Sequence, residues 1–312
     1  FKTNYTVKHQ KNLPPLYPNG WIPAIESSDV NNSRIVNVQL CGEELIVFRG
    51  REGEVHVLDA YCPHLGAKLS SGGHVMKLCN EVCVRCPFHG WVFRANDGLC
   101  VQVPYTQTQS APKGVRIKTY SNVEMHGFIY VWFHADGLEA TWRIPKINEI
   151  NSKWFDFVLS QFIHCFKHYK DIPENGADVY HFLQLHPWST LMGSNLDTIN
   201  NNPFLSTILK HNFESSWTAC DSPENHKSLM YLKLTSLFLT IPLIKMEMNV
   251  EQIGPSVVHL YFKSLMGVEG VLIQNVLPVR PFEQKLIHRL YITPGFLSKL
   301  FSKFMLYGES TM

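Results

Sequence analysis

The stretch from Tyr61 to Trp91, YCPHLGAKLSSGGHVMKLCNEVCVRCPFHGW, constrains this chain more than any other, because it sets four cysteines and three histidines within thirty-one residues. Pro63, Gly66, Gly72, Gly73, Pro87 and Gly90 punctuate it, so the ligand-bearing side chains are expected on loops carried by a small sheet. Of the eight cysteines in the 312-residue chain, Cys62, Cys79, Cys83, Cys86 and Cys100 fall close together. That clustering points to metal ligation rather than a secreted disulfide framework.

Two fragments are the most informative, Cys62-Pro63-His64 and Cys86-Pro87-Phe88-His89. Together they supply two thiolates and two imidazoles, the ligand set of a Rieske [2Fe–2S] centre, in which histidines replace cysteines on one iron. The competing reading is a tetrahedral zinc site of Cys79, Cys83, Cys86 and His89, helped by the C-x-x-C spacing of Cys83 and Cys86. Zinc leaves the Cys62 fragment unused, whereas the iron–sulfur reading uses both fragments. On the latter, Cys79 and Cys83 are spare thiols in the connecting loop, and His74 is a solvated loop residue.

Around this region, RIVNVQL, LIVFR and VHVLD between Arg34 and Asp59 read as short antiparallel strands, and GFIYVWFHA from Gly127 to Ala135 as the strand that closes the unit. ADGLEATWRIPKI behaves as a linker. The chain is therefore expected to divide into a lead-in (residues 1–19), a small all-β [2Fe–2S] domain (20–136) and a second domain (137–312). In that second half, SVVHLYFKS and VEGVLIQNVLPV have the β-branched, apolar character of half-buried strands, and LTSLFLTIPLIKMEM suits a strand pair or a pocket wall. The fold class is thus α+β, with a central antiparallel sheet flanked by helices in the second domain. A helix is expected to start at Pro173 and end after His186, before Pro187. Another is expected near the end, with Leu297, Leu300, Phe301, Phe304 and Met305 on one face.

With 28 Lys and Arg against 26 Asp and Glu, charge gives no argument for a nucleic-acid partner. No window reaches about eighteen uninterrupted apolar residues. The chain starts at Phe1 and is read as a piece of a longer protein, so any membrane anchor is expected outside it.

A second constellation lies in ENGADVYHFLQLHP, which contains Asp178, His181 and His186. Two histidines with a nearby acid begin the 2-His-1-carboxylate set that binds non-haem Fe(II). His164 and His168 also stand four apart, but no carboxylate motif supports them. His211, His226, His259 and His288 are expected to be surface or hydrogen-bonded residues.

CPHLGAKL followed by CPFHGW resembles the cluster motif of Rieske non-haem iron oxygenases, and the likeness extends from GWIPA near Trp21 to YVWFH near Phe133. Ala67 or its neighbour and Phe88 occupy the places where respiratory Rieske proteins carry a disulfide pair. The connection from His64 to Cys86 is longer than the oxygenase pattern. Asn175, Asp178, His181 and His186 match the oxygenase iron motif N-x-x-D-x-x-H-x-x-x-x-H. YCPHLGA, CPFHGW, ENGADVYHF and YGES are together most similar to the Neverland-type cholesterol 7-desaturases of animals, over nearly the whole chain.

The resemblance implies a helix-grip catalytic domain in which His181 and His186 bind iron. Asp178 then links His181 to His89 of a neighbouring subunit, in a head-to-tail homotrimer. The third iron ligand is implied to be a late acid, either Glu309 or a residue beyond Met312, and an exposed helix-end glutamate is the other reading of Glu309. The implied reaction converts cholesterol to 7-dehydrocholesterol in steroid hormone biosynthesis. It uses O₂ and electrons from NAD(P)H through a separate ferredoxin or flavin reductase, since the chain has no glycine-rich dinucleotide fingerprint. The implied location is an intracellular membrane such as the endoplasmic reticulum, with the catalytic part facing the cytoplasm. A hydroxylase of steroids or other hydrophobic substrates, and an electron-transfer or redox-sensing protein with an inactive iron site, stay open as alternatives.

Overall fold

A computed structural model describes residues 15–31, 34–108, 110–156, 161–166, 168, 170–178, 203, 204, 209–239, 241–264, 267–296, 298 and 302. The first part holds ten strands: β1 (Gly20–Glu26), β2 (Val36–Leu40), β3 (Glu43–Arg49), β4 (Val55–Asp59), β5 (His74–Leu78), β6 (Glu81–Arg85), β7 (Val92–Arg94), β8 (Cys100–Gln102), β9 (Asn122–Met125) and β10 (Phe128–Phe133). They form three antiparallel sheets, ordered β1-β10-β9, β2-β3-β4 and β5-β6-β7-β8. β3 explains why the sequence needs an unbroken apolar run there. Ile46 and Phe48 face the core under the metal-rich loops, Leu45 and Val47 face a second core with Ile22 and Ile129, and all four are 0% exposed.

The second part holds β11 (Phe155–Asp156), β12 (Gln161–Cys165), α1 (Asp171–Ala177), β13 (Leu209–Ala219), β14 (Lys227–Phe238), β15 (Ile241–Ile253), β16 (Val257–Ser264), β17 (Glu269–Arg280) and β18 (Glu283–Ile292). Its antiparallel sheet runs β11-β18-β17-β16-β15-β14-β13, with β12 also pairing β18. LTSLFLTIPLIKMEM thus forms the β14–β15 hairpin. Side chains alternate across a pleated strand, so this sheet has two distinct faces. The inner face meets the small sheets through β10, whose Phe128, Tyr130 and Trp132 pack on Ile253, Val257 and Ile287 while Ile129 and Val131 serve the other core. Tyr130 Oη donates to Asn275 Oδ1 at 3.1 Å, and Arg289 Nη1 donates to the Gly127 carbonyl at 3.1 Å. On the outer face Met230, Leu232, Met248, Val250, Phe262, Leu272 and Leu290 form a separate apolar layer.

Several sequence expectations are corrected. The linker of residues 135–147 is a packed strap: Ile144 and Ile147 are buried, Trp142 stacks on His226 at 4.6 Å, and the Trp21 indole donates to the Trp142 carbonyl. The longer connection after His64 is the β5–β6 hairpin. Cys79 and Asn80 take positive φ at its tip, as a two-residue hairpin turn requires. His74 begins β5 and is exposed, and Cys83 is a buried residue of β6 rather than a loop thiol: Val84 next to it faces the core under the metal-rich loops, so Cys83 takes the other side of the strand, across from Met76 and Arg94. α1 starts at Asp171, so Pro173 sits in the first turn, where its missing N–H costs no intrahelical bond. The helix leaves α geometry at Asp178, the C-cap, whose N–H donates to the Glu174 carbonyl; the expected continuation to His186 lies outside the described residues. His164 belongs to β12, so helical pairing with His168 does not arise. His226 is the stacked residue noted above, and His211 has no described side chain. His259 and His288 are 0% and 1% exposed with no hydrogen-bond partner on either ring nitrogen among the described residues, contrary to a surface or satisfied role. Both are drawn in by sheet register: His259 lies on the inner face beside His126, and His288 on the outer face.

Candidate metal centres

The loop after β4 and the loop between β6 and β7 repeat one backbone design. In the first, the Cys62 N–H donates to the Ala67 carbonyl at 2.9 Å and the Gly66 N–H to the Cys62 carbonyl at 2.9 Å. In the second, the Cys86 N–H donates to the Trp91 carbonyl at 2.8 Å and the Gly90 N–H to the Cys86 carbonyl at 3.2 Å. Each cysteine is followed by a proline, whose missing N–H is not needed, and four residues on by a glycine at φ 73° (Gly66) or 72° (Gly90). At Gly90 space is also short: a Cβ would stand 2.9 Å from Pro104 Cγ and 3.0 Å from Arg85 Nη2. The histidine is the one offset between the loops, two positions after Cys62 and three after Cys86.

That design brings the four side chains together. Cys62 and Cys86 are each 2% exposed, and the His64 and His89 rings meet edge to face with centroids 4.8 Å apart. Trp91 stacks flat on His64 at 4.5 Å and 8°, and its indole donates to Tyr105 Oη at 2.9 Å. Burial pushes the Cys62 thiol well above its ordinary pKa, and the neighbouring Cys86 and Cys100 sulfurs push the same way, outweighing the backbone N–H of His64. A thiolate in this position therefore needs cationic compensation, which a cluster iron provides. Two buried thiols beside two half-buried imidazoles fit a Rieske cluster, with both imidazoles toward the surface. The zinc alternative does not fit. Cys79 is at the far tip of the hairpin, so the length of β6, about 13 Å at ~3.3 Å per residue, separates it from Cys86 and His89.

The rim of this site is apolar and open: Leu65, Phe88 and Tyr105 are 65%, 64% and 59% exposed. On another side, Asp59, Tyr61, Pro63, Arg116 and Lys118 line an open groove of about 610 Å³ beside Cys62. β6 and β7 are held by Arg94, which pairs with Glu81 and Asp97, and Asp97 also accepts from Arg116. The Arg94 guanidinium is the largest influence holding the Asp97 carboxyl well below its usual range.

The second constellation is described in part. Asn175 and Asp178 are exposed at the C-terminal end of α1, while His181, His186 and Glu309 lie outside the described residues. α1 rests on the outer face of the large sheet, since a Cβ on Gly176 would stand 3.6 Å from Gln252 Oε1. The approach to the helix is fixed by Gln284 Nε2 donating to the His168 carbonyl at 3.2 Å. The sheet thus stands between Asp178 and the small sheets, which contact its inner face through β1, β2 and β10. Sequence reasoning found both motifs but had no signal for this separation, because it depends on which face of β15 meets α1.

Residues 20–121 match the Rieske [2Fe-2S] domain model, and residues 131–300 match that of the 3-ketosteroid 9alpha-hydroxylase C-terminal domain. The chain is 38% identical over 299 residues to cholesterol 7-desaturase nvd of Xenopus laevis, covering 95% of this chain and 64% of that protein. It is 37% identical over 303 residues to cholesterol 7-desaturase nvd of Drosophila melanogaster, covering 96% and 67%. It therefore spans less than two thirds of the length of the Xenopus relative. Among solved structures, dicamba monooxygenase bound to 3,6 dichlorosalicylic acid shares the fold, with TM-score 0.67 and 14% identity over 94% of this chain and 83% of that one.

Proposed function

Because the chain belongs to the cholesterol 7-desaturase family of Rieske oxygenases, we propose that the protein it forms removes the hydrogens at C7 and C8 of cholesterol to give 7-dehydrocholesterol. Two hydrogens from the sterol, with two electrons and two protons from an NAD(P)H-fed ferredoxin or flavin reductase, reduce O₂ to two waters. The observation that carries this reading is the pairing of the twin-loop site, apt for a one-electron carrier, with the start of an iron motif, Asn175 and Asp178, on a helix that lies over the outer side of the large sheet.

Cys62, His64, Cys86 and His89 would hold the [2Fe–2S] cluster, and His181 and His186 the mononuclear iron, with Glu309 or a later acid as third ligand. When bound, these groups supply electron storage and O₂ activation. The chain's own residues provide the setting. Trp91 fixes the His64 ring by stacking, and Asp178 at the end of α1 orients His181, with Asn175 beside it. The intervening sheet disfavours transfer from a cluster to the iron of its own chain. An apolar rim of Leu65, Phe88 and Tyr105 around His64 and His89 suits docking onto a second copy. Both points support a head-to-tail homotrimer in which His89 of one subunit meets Asp178 of the next.

The same reading divides the chain near residue 136, after β10. It puts the protein at an intracellular membrane such as the endoplasmic reticulum, held by a segment outside these residues, with the catalytic part in the cytoplasm, because its substrate is a membrane lipid. Among the described residues no helix is long and apolar enough to cross a membrane. The match to a 9alpha-hydroxylase C-terminal model favours one second reading, hydroxylation of a steroid.

The test uses full-length protein in membranes with cholesterol, NADPH and a ferredoxin-type reductase system. Conjugated-diene absorption that appears with the wild type and disappears in His181→Ala supports desaturation. Mono-oxygenated sterol supports the hydroxylase, and absence of either product with a reducible cluster overturns the sterol reading.

A further inference from the structure

One transverse row on the outer face of the large sheet is mostly polar. Register sets Ser228 opposite Gln252, Gln252 opposite Val258, Val258 opposite Gln274, and Gln274 opposite His288, so four polar residues and one valine cross five strands in a line. The next row, two residues along each strand and so about 6.6 Å away, is Met230, Val250, Leu260, Leu272 and Leu290. The row after that contains Leu232, Met248 and Phe262. Two apolar rows thus lie beside the polar one, and α1 lies at the polar row, through Gly176 against Gln252.

The members of the row differ in how far their hydrogen-bonding capacity is used. Ser228 Oγ and Gln252 Oε1 are 3.3 Å apart and satisfy each other. His288 is 1% exposed, and neither Nδ1 nor Nε2 has a partner among the described residues. An imidazole enclosed in this way carries one unmatched donor and one unmatched acceptor, which is costly unless something supplies the complementary pair. Burial pushes its pKa down to about 4, so it is neutral at physiological pH. An uncharged hydroxyl, itself one donor and an acceptor, completes a neutral imidazole.

We propose that the row of Ser228, Gln252, Gln274 and His288 is the polar end of the substrate floor, with His288 as the positioning residue that hydrogen-bonds the single hydroxyl of a sterol. The inference rests on the sterol reading above and deepens it. A sterol is a long hydrocarbon with one alcohol at one end, and this face has the same division. Carbon 7 lies in the ring next to the one that bears the alcohol. Anchoring the hydroxyl on the row under α1 therefore keeps the reacting carbons near the iron motif and sends the hydrocarbon tail over the Met, Val and Leu rows. Specificity arises because a sterol without the hydroxyl leaves His288 unmatched.

The test compares cholesterol with cholest-5-ene, which has the same ring double bond and no hydroxyl, in the full-length protein. Diene formation gives kcat and KM, and displacement of a fluorescent sterol gives affinity independently of turnover. The wild type is expected to favour cholesterol roughly tenfold to a hundredfold, mainly through KM. In His288→Phe the preference collapses toward one because cholesterol is weakened while cholest-5-ene is not, and His288→Gln retains part of it. Gln274→Leu, an alteration on the adjacent strand, is expected to reduce the preference in part, and serves if His288→Phe does not fold. An equal loss for both sterols, a preference that survives His288→Phe, or an unchanged preference in Gln274→Leu where that variant must stand in, overturns the proposal. Cholesterol that binds without being desaturated removes the desaturase reading, and the affinity ratio still decides the role of His288. If neither sterol binds, both fall.

Discussion

The two candidate metal sites are built in opposite ways. The cluster loops after β4 and β6 each hold a cysteine, a proline, a histidine and a glycine within a span of five residues, closed by the same pair of backbone hydrogen bonds. Of the second site, Asn175 and Asp178 stand at the end of α1 over the outer face of the large sheet, and the candidates His181, His186 and Glu309 lie outside the described residues. A local design can be read from one fragment and is broken by one substitution. An assembled design shows only its ligands in sequence and depends on packing to aim them.

The largest effect tests the local design. Cys86→Ser is expected to remove the visible absorption and electron-paramagnetic signature of the cluster together with all turnover; a retained cluster signal would remove Cys86 from the ligand set. Asp178→Asn separates the two sites. We expect turnover to fall roughly ten- to a hundredfold while the cluster keeps its spectrum and still accepts an electron, measured by stopped-flow reduction and single-turnover product yield. Equal loss of cluster reduction would show instead that α1 supports the fold of both sites.

A subtler contrast lies within the twin loops. Both glycines have φ near 72°, but only Gly90 lies against Pro104 and Arg85, whereas a Cβ on Gly66 meets nothing within 4 Å. Gly66→Ala should cost about 1–2 kcal/mol for the left-handed backbone alone, and Gly90→Ala measurably more, compared by denaturant midpoint. Equal costs would mean that Pro104 moves aside freely.

Acid should weaken the β2–β9 region modestly. Asp97, Glu124 and Glu44 have depressed pKa values, caused chiefly by hydrogen bonds from Arg94, Arg49 and Lys68 respectively. Because their folded pKa values lie below the unfolded ones, the stability they confer is complete above the ordinary carboxylate range and is lost as pH falls below about 4. The pairs are partly exposed, so each contributes no more than about 1 kcal/mol. Chemical denaturation at pH 7 and pH 3.5 should show this, with Arg94→Gln reducing the pH dependence. The smallest effect is expected of Cys79→Ser, which alters the exposed tip of the β5–β6 hairpin. Loss of a bound metal in that variant would revive the zinc assignment.

What sequence alone determined is what short range encodes. Cys62, His64, Cys86 and His89 were legible because their spacing and the flanking prolines and glycines specify the loop conformation that gathers them. β2, β3, β4, β10, the β14–β15 pair, β16 and β17 were legible because alternation and apolar runs report burial one strand at a time, whereas β5 and β6 lie in the stretch that read as loops. Tertiary structure decided the rest. His288 had no motif around it and read as a surface or satisfied residue, and Cys83 read as a loop thiol. The strap of residues 135–147 read as a loose linker, although Trp142 and Ile144 fasten it between two layers. The polar row is likewise invisible in one dimension, since its members are separated by fourteen or more positions and become neighbours through strand register alone. Periodicity tells a side chain which side of its own strand it occupies, but not what lies across from it; only the pairing of strands and the layer packed above them assign it a partner.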